Sequence, residues 1–443
     1  MAGDFGEDKT DAFFCANGLI AADRSLHPAI SEVKQVYANL SITDYDPFDH
    51  SVLIKNKHVF IDTDFVLFIA KLLSNGVMVD QALCEFDPIP ANQSRRIKVP
   101  TLTHPTEDTE LILEISAVER MDRPWAKQGH EICFGQFILN TAQPQIEHHE
   151  TGSAFRLIKE SGKITFYSAA LSVTLDQNSG AIESIDAGFG NLLKAPLTFN
   201  FSRADLDNDC GIELFVDAMK YVNPIRAWEK AQQKLKVRSI KTSLSESQAT
   251  INLTFKMPYC RHFKMSVSVS PDGIMRVEAS ITPTKAMIRF GMSLGLDPVY
   301  SLVTFYGRGP QENYCDRKSG SKLGLHQGRI EDFNHNYMRP QENGNHTEVR
   351  FLELSDDKNR LRFEASPPHY LETSVWPYTQ NELKNATHSH ELPPWRMTTL
   401  NVDYGQKGVA GDLPGFYWGP STYTLKANQA YTLAFTLKII PLQ

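Results

Sequence analysis

No stretch of this chain is apolar enough to sit in a bilayer. The longest apolar run, residues 65–73, carries Lys71 and falls far short of the ~20 residues a membrane span needs. Nor does the start resemble a secretory signal, because Met1-Ala2-Gly3-Asp4 leads into acidic sequence rather than a basic and then apolar region. Cysteine pairing is missing too. Six cysteines at 15, 84, 133, 210, 260 and 315 form no C-x-x-C pair, so reduced, buried thiols of a cytoplasmic protein are expected. Positive charge is also scarce: the net charge is −7 and the densest basic cluster is Arg95-Arg96. That excludes the clustered basic surface that a nucleic-acid partner requires.

Helical periodicity is almost as rare. It is clear only in residues 1–45, where Pro28 suits a first helical position. Ile30, Val33 and Tyr37 then recur on one face, opposite Ser31, Glu32, Lys34 and Gln35. Such a helix needs a surface to cover its stripe. From 46 to 140 the pattern changes to short runs at 52–54, 59–61, 65–73, 77–79 and 111–113, broken by turns such as Ser74-Asn75-Gly76. These predict a small β-sandwich closed by a strand over 132–139. The polar stretch 141–152 reads as a linker. Residues 153–443 alternate almost throughout, at 164–166, 171–175, 263–269 and 433–439, with hairpin turns at Ser179-Gly180 and Asp272-Gly273. One large sandwich is expected, in a mainly β chain whose 443 residues include 41% apolar and 22% charged, a composition able to build a core. No fixed-period repeat is present; Pro-Gln-Glu-Asn recurs once, at 310–313 and 340–343.

Several segments then line up with one family. Residues 4–37 contain Asp4-Phe5-Gly6, Phe14-Cys15-Ala16-Asn17-Gly18, Ala22-Asp23-Arg24 and His27-Pro28-Ala29. Further on come Pro124-Trp125-Ala126 with Gly129-His130-Glu131-Ile132, and Arg203-Ala204-Asp205-Leu206-Asp207-Asn208-Asp209 followed by Trp228. Gly307-Arg308-Gly309-Pro310-Gln311-Glu312-Asn313-Tyr314 precedes Asp316-Arg317, and Pro340-Gln341-Glu342-Asn343-Gly344 precedes Arg350. In this order they resemble glycoside hydrolase family 2 β-galactosidases, with Asp205 where the family has proline. The resemblance implies the last loop and helix of a TIM barrel over 1–45, an immunoglobulin-like sandwich over 46–140, and a large sandwich of the galactose-mutarotase type over 153–443.

The same resemblance implies retaining hydrolysis of terminal β-D-galactosides such as lactose, by two carboxyl groups roughly 5–5.5 Å apart. In the family both are glutamates on earlier barrel strands, which this chain does not contain. Glu7 has no catalytic counterpart. The chain is therefore expected to be inactive alone, to need an N-terminal catalytic portion as partner, and to associate into an oligomer. For its own residues, the resemblance implies a partial Na+ site from the Phe14 carbonyl and the Asn17 side-chain oxygen, both hard donors. The main ligands of a family Mg2+ site are absent. Trp418, in Gly411-Asp412 to Trp418-Gly419-Pro420-Ser421, corresponds to a pocket tryptophan that stacks on sugar. The longer spacer leaves the stacking ring open among Phe416, Tyr417 and Trp418.

Other clusters read as structural. His148-His149-Glu150 lies in the linker, and His388 and His390 have period-2 spacing on a possible strand without a complete ligand set. Glu312 and Glu342 read as carboxylates bracing turns. Asp205, Asp207 and Asp209 open like an EF-hand, but Cys210 and Val216 break it. Two other functions fit less of the chain: a stand-alone carbohydrate-binding or structural sandwich, and an aldose epimerase, which would need a paired His and Glu facing a sugar pocket.

Overall fold

A computed structural model of the chain describes residues 3–8, 18–103, 109–141, 155–210, 223–411 and 421–442. Helix α1 (Ala29–Tyr37) follows Pro28, which already has helical angles, and contains no buried residue. Its polar side holds it in place. The Gln35 side chain donates to the Phe134 carbonyl at 2.7 Å and accepts from the Phe134 N–H at 3.3 Å, as a neighbouring strand would. Glu32 accepts from the Gly320 N–H at 2.7 Å. Of the apolar stripe, Ile30 and Val33 are half-buried and Tyr37 is 78% exposed, and Val36 beside it is 57% exposed.

Seven strands follow: β1 (Leu40–Asp46), β2 (Ser51–Asn56), β3 (Val66–Ser74), β4 (Val77–Leu83), β5 (Ser94–Lys98), β6 (Leu111–Glu119) and β7 (Glu131–Asn140). They form a three-stranded sheet, β1-β2-β5, packed on a four-stranded sheet, β4-β3-β6-β7. Alternate residues such as Val52, Ile54, Phe68, Ala70, Leu113 and Ile115 fill the core between them, as period-2 burial requires. The run at 59–61 forms no strand, contrary to its β-branched and aromatic content. Phe60 is 93% exposed there. The buried Asn56 amide instead satisfies the backbone nearby, donating to the carbonyls of Ile61 at 2.9 Å and Ile89 at 3.0 Å, a local alternative to a ladder.

Strand β6 is buried at every one of its nine positions. One face enters the small core. The other carries Ile112, Glu114 and Ser116 into contact with the large sandwich, whose Lys322 binds Glu114 at 2.8 Å and Glu131 at 2.6 Å. Gln136 donates to the Leu323 carbonyl at 3.0 Å and accepts its N–H at 2.8 Å. Glu110 completes the junction by pairing with Arg350 through two bonds of 2.9 Å and accepting the Tyr306 hydroxyl.

The remaining strands are β8 (Arg156–Glu160), β9 (Lys163–Tyr167), β10 (Ser172–Asp176), β11 (Ile182–Asp186) and β12 (Leu193–Asn200). After helices α2 (Asp207–Cys210) and α3 (Pro224–Gln232) come β13 (Lys236–Leu244), β14 (Ala249–Lys256), β15 (Cys260–Val269), β16 (Met275–Pro283), β17 (Arg289–Leu296), β18 (Leu302–Gly309) and β19 (Lys322–Arg329). The chain closes with β20 (His346–Val349), β21 (Phe351–Ser355), β22 (Asn359–Ala365), β23 (Leu371–Trp376), helix α4 (Gln380–Asn385), β24 (Thr398–Gln406) and β25 (Tyr431–Pro441). They make two nine-stranded sheets, β20-β23-β24-β17-β12-β11-β10-β9-β8 and β13-β14-β15-β16-β25-β22-β21-β18-β19. One continuous core lies between them, from Ile164 to Leu437. Gly180 sits in the β10–β11 turn at φ 73°, where a Cβ would meet the Phe255 ring at 2.7 Å; no other residue fits both demands.

Among the described residues no helix is long and apolar enough to cross a membrane. Beyond Thr141, the polar stretch 141–152 lies outside the described residues. The possible strand at His388 and His390 is instead a 3-10 turn, Ser389–Glu391. Its cause is Glu391, which accepts from the Thr387 N–H at 2.7 Å and the His388 N–H at 3.3 Å.

Truncating Arg350 strands the Glu110 carboxylate at the junction. Arg350→Ala should lower stability in urea unfolding by about 3–5 kcal/mol, and adding Glu110→Leu should recover part of it. Equal midpoints for wild type and Arg350→Ala would mean that the pair does not hold the two sandwiches together.

Candidate functional site

The ends of several strands in the large sandwich are held by two guanidinium groups with no exposed surface. Arg203 makes a two-pronged contact with Asp209 at 2.8 and 2.9 Å. It also donates to the carbonyls of Lys407 at 2.6 Å and Gly408 at 2.9 Å. Arg289 binds Asp403 and reaches Glu342 at 3.4 Å. Asp316 then accepts the N–H groups of Val409 at 3.1 Å and Ala410 at 2.8 Å. These contacts lead the chain up to Gly411.

The loop after β19 is fixed in the same manner. Asn334 donates to the carbonyls of Ile330 at 2.6 Å and Val375 at 2.9 Å. Glu312, almost fully buried, accepts the Tyr337 hydroxyl at 2.6 Å and the Gly344 N–H at 2.7 Å. Arg339 binds Asp207 at 2.9 Å. Glu312 and Glu342 therefore brace turns, and Asp205, Asp207 and Asp209 each pair with a different arginine, 226, 339 and 203. None of the three is left as a cation ligand.

A cleft of about 540 Å³ opens above this loop. Gly18, Asp23 and His27 form one wall; His335, Tyr337 and Arg339 form another; His388 and His390 lie at a third side. The His27 ring meets His335 and Tyr337 edge-on, at centroid distances of 5.4 and 6.2 Å. His27 Nδ1 lies 2.9 Å from the Gly18 carbonyl. The sequence reading missed His27, His335 and Tyr337. The signal available was His27, in a segment matched to the family pattern; His335 and Tyr337 lie between the matched segments and carried none.

All five residues expected to touch sugar or sodium, Phe14, Asn17, Phe416, Tyr417 and Trp418, lie outside the described residues. Their described neighbours nonetheless converge. Gly18 lines the cleft, as does Asp207, and Asn208 beside it donates to the Val409 carbonyl at 2.9 Å. A Cβ on Gly411 would stand 2.9 Å from the Asn208 side chain.

The electrostatics separate the cleft from its support. Burial, reinforced by neighbouring Asp403, raises Glu372 to about 8. Burial raises Glu342 to about 7 against the pull of Arg289 and Arg203. Glu342 lies beneath the surface, and Glu372 is half-buried, accepting from the Asn345 amide and the Gln406 N–H. In the cleft, hydrogen bonds from Ser25 hold Asp23 below its usual range, and burial lowers His335. Glu391, beside His388 at 3.3 Å, is pulled down to about 2 chiefly by Thr387; such a carboxylate is a weak base. Among the described residues, the cleft offers donors, acceptors and ring faces. Among them, too, no three of His, Cys, Asp or Glu gather to hold a metal.

A family model described as beta galactosidase small chain matches residues 167–437. The chain belongs to that family. Beta-galactosidase domain 4 matches residues 52–140, and the glycosyl hydrolases family 2 TIM barrel domain matches residues 1–42. The β-galactosidase of Priestia megaterium is 30% identical over 447 residues, covering 98% of this chain and 42% of its own length. That of Halalkalibacterium halodurans is 28% identical over 449 residues, covering 98% and 43%. The chain thus spans less than half the length of these curated relatives and corresponds to a C-terminal portion of them. The solved structure of galactose 1-epimerase from Lactobacillus acidophilus covers 66% of this chain and 99% of its own, at TM-score 0.39 and 11% identity, a likeness too remote to bear on function.

Glu372 supplies a pH test of the buried network. Its carboxyl is neutral in the folded chain up to about 8 but ionises near its ordinary range on unfolding. The resulting penalty is absent in acid, grows as pH rises between those two values, and is constant above them. Glu372→Gln should therefore match wild type near pH 4 and exceed it at pH 8.5 by on the order of a few kcal/mol. Denaturant unfolding across that range measures it; a pH-independent difference would remove Glu372 as its source.

Proposed function

We propose that this chain is the C-terminal part of a retaining β-galactosidase acting on terminal β-D-galactosides such as lactose, and that it works only with the portion carrying the two catalytic glutamates. Helix α1 carries this reading. Its polar side is docked through Glu32 and Gln35 while Val36 and Tyr37 stand exposed, within residues matched to the TIM barrel domain. Leu19, Ile20 and Leu26 next to it are 37–59% exposed. An apolar surface of this kind is suited to burial against the rest of a barrel.

In this reading the chain orients substrate and excludes water, and the acid/base and nucleophile arrive from the partner portion. The Phe14 carbonyl and the Asn17 side-chain oxygen are hard donors of the kind an alkali cation prefers, and Asn17 adjoins the cleft residue Gly18. Sodium bound there would fix a galactose hydroxyl. Mg2+ would be held by the other portion. Trp418, or Phe416 or Tyr417 beside it, would give a ring face to the sugar. A cytoplasmic setting suits the cysteines, since the five described are all unpaired and burial raises their thiols, Cys133 to about 12, which makes them poor nucleophiles. Without that portion, the chain is expected to associate with itself through the same exposed helix.

Purified alone, the chain should not hydrolyse a chromogenic galactoside, and mixing it with an N-terminal portion of a family member should restore turnover. Val36→Asp should abolish that restoration while leaving thermal unfolding of the isolated chain unchanged, because Val36 is already exposed. Hydrolysis that follows the chain alone through purification would overturn the proposal.

In the restored enzyme, Asn17→Ala should raise the sodium concentration needed for half-maximal rate severalfold, with little change at saturating sodium. Unaltered sodium dependence would remove Asn17 from the cation site.

A further inference from the structure

A second cavity of about 590 Å³ shares no wall residue with the cleft above. Helix α3 forms one side and helix α4 the other, over the end of β12. Two glutamine side chains make its walls rigid. Gln232 accepts the Phe201 N–H and donates to the Phe199 carbonyl, both at 3.0 Å. Gln380 accepts from the Asn200 amide at 2.8 Å and donates to the Ser202 hydroxyl at 3.1 Å. Across the cavity, Lys384 pairs with Glu229, which fixes the spacing of the two helices. The two walls are thus preorganised, and ordering them would add little cost on binding.

The groups left facing this space share one chemistry. The side-chain amides of Gln233, Asn381 and Asn385 and the Thr198 hydroxyl line it and have no hydrogen-bond partner among the described residues. Each amide offers a carbonyl acceptor beside an N–H2 donor, a match for adjacent hydroxyls that both give and accept. Glu229 and Lys384 cancel in charge, so a phosphate or another anion gains no net attraction. Ala181, Leu235 and the edges of Met292 and Phe199 supply a small apolar floor with no exposed ring face.

We propose that this cavity is an accessory site for a neutral oligosaccharide, one that holds a galactoside chain away from the reacting bond. Its relevance to hydrolysis rests on the β-galactosidase reading; the binding itself does not. Without a stacking ring the affinity should be modest, near ~1 mM.

The test uses the whole chain with β-1,4-galactobiose as probe, by saturation-transfer NMR and calorimetry. Combined Gln233→Ala, Asn381→Ala and Asn385→Ala should weaken binding by about tenfold or more and leave thermal unfolding unchanged, since all three side chains are exposed. Trp418→Ala should not alter this binding. In the enzyme restored with its N-terminal portion, the triple variant should keep wild-type rates on a small chromogenic galactoside but show a raised KM on soluble galactan. Equal galactobiose affinity in wild type and triple variant, or no detectable binding of the probe to wild type, overturns the site. Failure of the two portions to restore activity, with galactobiose binding intact, would count against the β-galactosidase reading alone.

Discussion

The loops that shape the candidate site depend on two guanidinium groups buried without any contact with water. An isolated charge in that position would be prohibitive, and even a paired one recovers its desolvation only when every donor finds a partner. Arg203 meets that condition through Asp209, Gln406 and two consecutive carbonyls at 407 and 408. Arg289 comes close to it, with four bonds for five donors, to Asp403, Glu342 and the Ser202 carbonyl. Such a network adds little net stability compared with an apolar core. What it adds is uniqueness. A shift in any of the loops at 203–209, 340–345 or 403–408 would strand a charge, so their relative placement is held to one arrangement.

This constraint explains which parts of the site were legible in the sequence. Part of the network lies in the short strings that carry the family resemblance, Arg203 and Asp209 in one and Glu342 in another, whereas Arg289, Asp403 and Gln406 lie outside them. The sandwiches were legible for another reason: alternation with period 2 records which face is buried. It failed where that link breaks. Both faces of β6 are buried, one apolar and one charged, so the sequence showed a strand but not that Glu114 and Ser116 meet a second domain. At 59–61 the apolar content is exposed, because a single asparagine at 56 supplies the hydrogen bonds a strand would have used. At 388–390 a capping glutamate turned an apparent alternation into a 3-10 turn. Local side-chain bonds of this kind are invisible to periodicity.

Helix α1 separates two properties that usually coincide. Apolar stripes normally dock a helix on its own domain, and polar faces turn to water. Here the polar face is docked, through Gln35 imitating a strand edge and Glu32 capping a turn at Gly320, and Val36 and Tyr37 are exposed. The helix is therefore positioned by one set of contacts and available to another. The polar contacts alone fix the helix, so its position does not depend on burial of Val36 or Tyr37.

The same division runs through the chemistry. Acid/base work needs a carboxyl group near the operating pH that also reaches the substrate. Glu342 and Glu372 have the first property, at about 7 and 8, but lie in the support with their hydrogen bonds made. Asp23 lines the cleft and Glu391 stands beside its His388, and both are held below their usual range by their own turns. Raised pKa here reports a crowded foundation, and lowered pKa reports local capping; neither marks a catalyst. In this wall the ionisable groups are spent on holding the loops in place.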